Sequence, residues 1–238
     1  MPSVSSSART PLAVAHAREF DWFLVVAVVA CVVASIRALF FTPIDAMLGA
    51  AQKIFYIHVP AAIAGLYLAC GLLAISSLVY LWIRDERLDR LAESSAEVGL
   101  VFMGIVLLTG PVWARTSWGT WWVWDARITS TLFLWLLVLS YLVLRGAVES
   151  PEPRARLSAV VGSLAALLVP FIHLTVTLFR GMHPQPVVIK PEKPSLPPEM
   201  LLTFGVAMVA FVLLFFALLR MRYRWATLRD ARATREHG

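Results

Sequence analysis

Apolar residues fall in long unbroken runs along this chain, near 22–41, 60–83, 97–113, 128–145, 157–179 and 200–221. Crossing about 30 Å of hydrocarbon as a helix takes roughly 17 to 25 residues, and each run is of that order. Only helices and closed barrels satisfy their own backbone in lipid, and barrel strands alternate apolar with polar positions, so continuous runs point to helices. The pattern predicts an all-α membrane protein with six transmembrane helices.

Composition agrees. Hydrophobic residues make up 59% of the chain and charged ones 15%, against about a half and a quarter in soluble domains. Lysines and arginines divide unevenly between the two sets of connections. Fourteen lie in the N-terminal tail, after runs two and four, and from Arg220 onward; six lie on the other side. The positive-inside rule then places both termini in the cytoplasm. Residues 1–21 are expected as a disordered cytoplasmic tail ahead of an uncleaved anchor, 22–221 as the membrane domain and 222–238 as a basic cytoplasmic tail. The net charge of +6 is met by a basic rim against anionic membrane lipid, and no nucleic-acid motif is present. Cys31 and Cys70 lack the spacing of a dithiol and are expected as small buried residues. The prolines between 184 and 198 exclude a helix there.

Five of the nine tryptophans, Trp113, Trp118, Trp121, Trp122 and Trp124, crowd the connection 113–127 between runs three and four. Indoles favour offset or edge contact with another aromatic plane, so the cluster suits a flat, membrane-soluble ligand such as a porphyrin. The alternative is an aromatic belt at the membrane surface. A helical 118–124 would align Trp118, Trp121 and Trp122 on one face, giving an amphipathic segment on the outer surface.

With the N-terminus inside, two histidines reach that same surface. His58 precedes Val59-Pro60 and is expected just above the start of span two, because proline drives its predecessor toward extended geometry. His183 follows span five, where Gly181 closes the helix and Pro184 prevents its resumption. Neutral imidazole is a good iron ligand, and haem iron offers two axial positions. The competing role for each is an interfacial polar group bonded to a carbonyl. His173, inside span five, is a lower-ranked alternative ligand or a packing residue. His16 and His237 fall in the tails. Arg127 and Arg115 are the cations nearest the tryptophans and suit carboxylates such as haem propionates, with Lys53 and Arg180 flanking the histidine segments. Snorkelling at a helix end is the alternative for each, and the expected role of Arg37. Asp125, just before span four, is expected to cap that helix.

The run Trp118 to Ser130, WGTWWVWDARITS, closely resembles the tryptophan-rich signature of the haem-handling superfamily of cytochrome c maturation, in the form of its CcmC branch. Ile54 to Ala62 resembles the segment carrying that family's first outer histidine, which maps onto His58; the second maps onto His183. Where the family tends to have a Trp-Trp pair ahead of Leu-His-Gln, this chain has Leu178-Phe179 and Met182-His183-Pro184-Gln185. The resemblance implies a non-enzymatic inner-membrane protein that binds haem b non-covalently at its outer, periplasmic face. His58 and His183 would be axial ligands, and Trp118, Trp121, Trp122, Trp124, Asp125 and Arg127 the platform. It further implies delivery to a CcmE-type haem chaperone, alongside CcmA, CcmB and CcmD-type subunits of an ABC transporter. The chain has no Walker A motif, so ATP work falls to a partner. Rival functions are a small-solute transporter, against which the spans lack carboxylates near their centres, and a purely structural permease subunit.

Overall fold

In the computed structural model the described residues are 20–179, 181–184, 193 and 195–237. They form six helices long and apolar enough to cross a membrane: α1 Trp22–Phe41, α2 Ala50–Ile83, α3 Glu86–Trp118, α4 Ala126–Ala147, α5 Pro151–Leu178 and α6, which starts at Pro198 and runs to His237. The expected tail 1–21 lies almost wholly outside the described residues, as do 185–192 of the proline-rich segment.

The helix ends are chemically defined. Asp21 starts α1 by accepting the Leu24 N–H at 3.2 Å, and Asp85 starts α3 by accepting the Arg87 N–H at 2.8 Å. A left-handed residue, Arg84 at φ 52°, closes α2 immediately before that cap, so α2 and α3 turn back on each other tightly. α5 is broken only by a turn at Leu164, between helical stretches Pro151–Ser163 and Ala165–Leu178.

α3 is the hub, packed against α2, α4 and α6; α5 lies on α2 and α4, and α1 leans chiefly on α6. Hydrocarbon gives no hydrophobic incentive for helices to associate, so small residues that admit close backbone contact carry the packing. A Cβ added to Gly99 of α3 would sit 2.9 Å from that of Ala69 on α2, and one on Gly65 of α2 would sit 3.0 Å from Met103. Beside these contacts, Leu73, Met103, Leu134, Val138, Tyr141 and Ile172 form a buried core joining α2, α3, α4 and α5.

Three helices run past the expected spans. α2 begins at Ala50 rather than near 60, α3 covers Glu86–Trp118 rather than 97–113, and α6 carries on through the segment expected as a basic tail. The apolar runs understate these helices because their polar ends are paired within the protein. Arg145 of α4 donates to Asp89 at 2.5 and 2.9 Å and to Glu93 at 3.1 Å, and Arg229 of α6 grips Glu93 at 2.7 and 2.8 Å. Arg222 pairs with Glu97 one turn further along α3. Only 6% of Arg145 and 8% of Glu93 is exposed.

Removing Arg145 leaves Asp89 charged and without its partner while Glu93 keeps Arg229, and breaking a buried pair in this way costs roughly 3–5 kcal/mol. Arg145→Ala is therefore expected to lower the unfolding temperature of the detergent-solubilised protein markedly. Asp89→Asn/Arg145→Gln should lose less than the single change. Thermal unfolding followed by size-exclusion fluorescence measures both.

Candidate functional site

At the end of α3 remote from the ion cluster, chemistry-bearing residues from four helices converge. His58 lies within α2, not in an extended residue ahead of it, so the expectation from Pro60 is corrected. The chain has already turned helical at Ala50–Ile54, and Pro60 stands inside the helix. Its missing N–H cannot serve the Tyr56 carbonyl, and α2 then passes through a π-helical stretch, Ile63–Ala69.

The His58 ring meets Trp113 edge to face, with centroids 5.7 Å apart at 74°, while Nδ1 lies 2.9 Å from Thr109 Oγ1. Thr109 spends its single proton on the Ile105 carbonyl at 2.7 Å. The proton in the His58 contact therefore belongs to the imidazole: Nδ1–H donates, and Nε2 keeps a free lone pair. His183 reaches the same state by a different route. Its Nδ1 lies 2.9 Å from the Pro184 carbonyl, which can only accept, so Nε2 is again unprotonated. Burial pushes the His183 imidazole down to about 4; the Arg127 charge acts in the same direction, and the Pro184 carbonyl and Asp125 oppose it. The ring is neutral at physiological pH. His58, His183 and Arg127 lie within electrostatic reach of one another.

The tryptophan segment is not a helix. Trp113 and Trp118 belong to α3, which Gly119 ends in left-handed conformation at φ 76°, and the residues from Gly119 to Asp125 are irregular. The expected amphipathic segment with three aligned indoles is therefore absent. Its physical cause is a helix terminator at one end and a helix cap at the other. Trp121 and Trp124 are 59% and 74% exposed, whereas Trp122 is half-buried against Trp124 at 5.6 Å, its Nε1–H without a partner among the described residues.

Asp125 is the expected cap of α4, accepting the Ile128 N–H at 2.8 Å. Its Oδ2 is buried, has no hydrogen-bond partner among the described residues and faces Gly181, where an added Cβ would come within 3.0 Å. Asp125, Arg127, Thr175, Phe179, Gly181 and His183 line one small cleft. The remaining candidates separate. Arg115 donates to the Gly119 carbonyl and Lys53 to the Leu39 carbonyl, so both serve helix ends. His173 sits on the exposed side of α5, its Nδ1 2.9 Å from the Tyr67 hydroxyl. Arg180 and His16 are outside the described residues.

Among the described residues no three or more His, Cys, Asp or Glu side chains gather into a cage for a bare metal ion. Two imidazoles with free Nε2 atoms beside aromatic walls suit an iron that arrives already chelated. The sequence profile of a family described as heme exporter protein C, or CcmC, matches residues 5–237. The chain belongs to this family.

Its relatives include heme exporter protein C of Haemophilus influenzae, 33% identical over 80% of this chain and 77% of that protein. The Paracoccus denitrificans protein of that name is 36% identical over 85% and 84%, and the Escherichia coli K12 protein 32% identical over 85% and 81%. Six apolar helices and CcmC membership together make this a multi-pass membrane protein. Two residues at this CcmC site escape a reading of the sequence. Thr109 stands four before Trp113 on the same face of α3, a signal that was available once span three extended past 113. Tyr67 gave none, because its direction depends on the π-helical turn in which it sits.

If Asp125 acts on α4 as a cap, Asp125→Asn should keep most of the stability and Asp125→Ala should lose about 1 kcal/mol. Equal losses in thermal unfolding would assign its contribution to charge instead.

Proposed function

We propose that this CcmC-family protein binds haem b non-covalently at the tryptophan-bearing end of the bundle and hands it to a CcmE-type chaperone during c-type cytochrome biogenesis. The observation that carries the reading is the matched state of His58 and His183. In each, a hydrogen bond consumes Nδ1–H and leaves Nε2 free, the arrangement that metal-binding histidines use. Family membership and the relatives' shared name support haem as the cargo.

In this reading His58 and His183 are the axial ligands. Trp113 walls the His58 side, and Trp118, Trp121, Trp122 and Trp124 form the platform on which the porphyrin slides in from lipid. Asp125 holds the platform's end, and Arg127 takes a propionate. His173, whose Nδ1 lies 2.9 Å from the Tyr67 hydroxyl, stays the lower-ranked alternative ligand. The two histidines differ in their support: His58 is set in a helix, whereas His183 hangs on a short irregular segment braced by its own neighbour's carbonyl. His183 is thus the ligand that yields first at hand-over. The site faces the periplasm or outer side of the inner membrane, and both termini face the cytoplasm. The chain performs no bond-making step itself; ATP hydrolysis belongs to CcmA-type subunits working with CcmB and CcmD-type partners.

The test is the visible spectrum of the purified protein, oxidised and after dithionite. A sharp low-spin spectrum is expected in the wild type. His58→Ala and His183→Ala should each lose it, and Thr109→Val should keep haem with a weakened His58 bond. Unchanged spectra in both histidine variants would sink the ligand assignment. A colourless protein, even with the chaperone coexpressed, would leave a structural permease subunit.

A further inference from the structure

We propose that Tyr67 and His173 form a hydrogen-bonded strut that holds the Arg127 guanidinium as the receptor for one porphyrin carboxylate. The inference rests on the haem-binding reading above and goes beyond it by assigning the device that sets propionate position.

Proton direction fixes the strut. A guanidinium can only donate, and the Tyr67 hydroxyl is its side-chain hydrogen-bonding neighbour. The strut assigns the phenol oxygen as the acceptor facing Arg127 and sends its own proton onward to His173 Nδ1, 2.9 Å away. His173 Nδ1 then serves as the acceptor that anchors Tyr67. The two rings also meet edge to face, with centroids 6.0 Å apart at 76°. Three helices contribute one member each: α4 the arginine, α2 the tyrosine, α5 the histidine. The π-helical turn Ile63–Ala69 contains Tyr67, and such turns re-aim side chains at functional positions.

What the strut presents is a cation in want of an anion. Arg127 makes no ion pair among the described residues, and the carboxylate nearest it in sequence, Asp125, has Oδ1 committed to the Ile128 N–H at the positive end of α4. A half-buried charge without an ion-pair partner gains when a ligand supplies one. The cleft between Arg127, Asp125 and His183 has a volume near 10 Å³, about one water's worth. That admits a carboxylate oxygen and excludes a ring. The macrocycle thus stays on the aromatic side while a propionate tip reaches the guanidinium, which fixes the porphyrin's rotation about the axis through its iron.

The experiment titrates full-length protein in detergent with haemin and, separately, with its dimethyl ester, which keeps iron and ring but has no free carboxylate. Wild type should prefer haemin by roughly ten- to a hundredfold, the range of a hydrogen bond to a charged group. Tyr67→Phe and His173→Leu should each weaken haemin binding roughly five- to tenfold while leaving the ester unchanged. His173→Gln, which retains an acceptor for the Tyr67 proton, should restore near-wild-type preference. On an Arg127→Gln background, Tyr67→Phe should have no further effect.

Equal loss for both porphyrins in Tyr67→Phe and His173→Leu would show a merely structural role and overturn the proposal. So would a wild type that binds the ester as tightly as haemin. In both cases a low-spin spectrum that still depends on His58 and His183 would leave the haem reading standing. Failure of the wild type to bind either porphyrin would sink both readings together.

Discussion

A polar hydrogen in hydrocarbon has no water to fall back on, and leaving one unpaired costs several kcal/mol. That constraint makes the six spans helical, and it also decides the chemistry at their ends. An imidazole carries two nitrogens and, when neutral, one proton, so the neighbour that takes the proton selects which nitrogen can bind a metal. Thr109 and Pro184 take it from His58 and His183 respectively. His173 Nδ1 meets the Tyr67 hydroxyl at 2.9 Å instead, and in the proposed strut it takes that hydroxyl's proton. The same residue type thus serves two purposes within one bundle, and burial alone does not tell them apart.

The two ends of α3 meet the constraint in opposite ways. Near its start, Asp89, Glu93 and Glu97 are each matched by an arginine from α4 or α6. Near its finish, the groups are conspicuously incomplete. Asp125 Oδ2 and Trp122 Nε1 are buried with no partner among the described residues, and Arg127, half-buried, has a tyrosine where Arg145, Arg222 and Arg229 have carboxylates. Unmet hydrogen-bonding capacity is costly to keep. The ends therefore differ in how their charges are met: arginines and carboxylates from three helices pair at one, while at the other Asp125 and Arg127 make no ion pair among the described residues.

Number and type of the spans were legible in the sequence because lipid imposes them residue by residue. Their ends were not, since hydropathy discounts a helical turn such as Glu86–Ser95 whose charges are neutralised by residues far along the chain. The histidine pair and the tryptophans were legible as components, and the Asp125 cap as a local rule. The helix expected over 118–124 does not form, because Gly119 in left-handed conformation ends α3 and the spacing of three indoles does not outweigh it. His58 was misplaced for a related reason. Pro60 is a favourable helix start by local rules, yet the helix has begun at Ala50 and absorbs it with a π-helical turn downstream. Tyr67 could not be found at all, because a register change of that kind moves a side chain to a face that no fixed period predicts.

Irregularity between Gly119 and Asp125 bears on how the tryptophans work. Backbone outside a helix is tolerated at membrane depth only where protein covers it or where it lines a cavity. This stretch is also short, and both of its ends are clamped, by the Gly119 N–H on the Arg115 carbonyl at 3.2 Å and by Asp125 on the first turn of α4. A free loop would let the indoles collapse onto one another and would have to be reordered for each ligand, at a cost of roughly 1–2 kcal/mol per residue. Clamping settles much of that cost during folding. In the proposed platform the half-buried Trp122 is the fixed support, while the exposed Trp121 and Trp124 are left to meet the ligand. A short capped loop therefore offers a flat ligand a wall that is already in place, which a mobile amphipathic helix lying on the membrane surface would not.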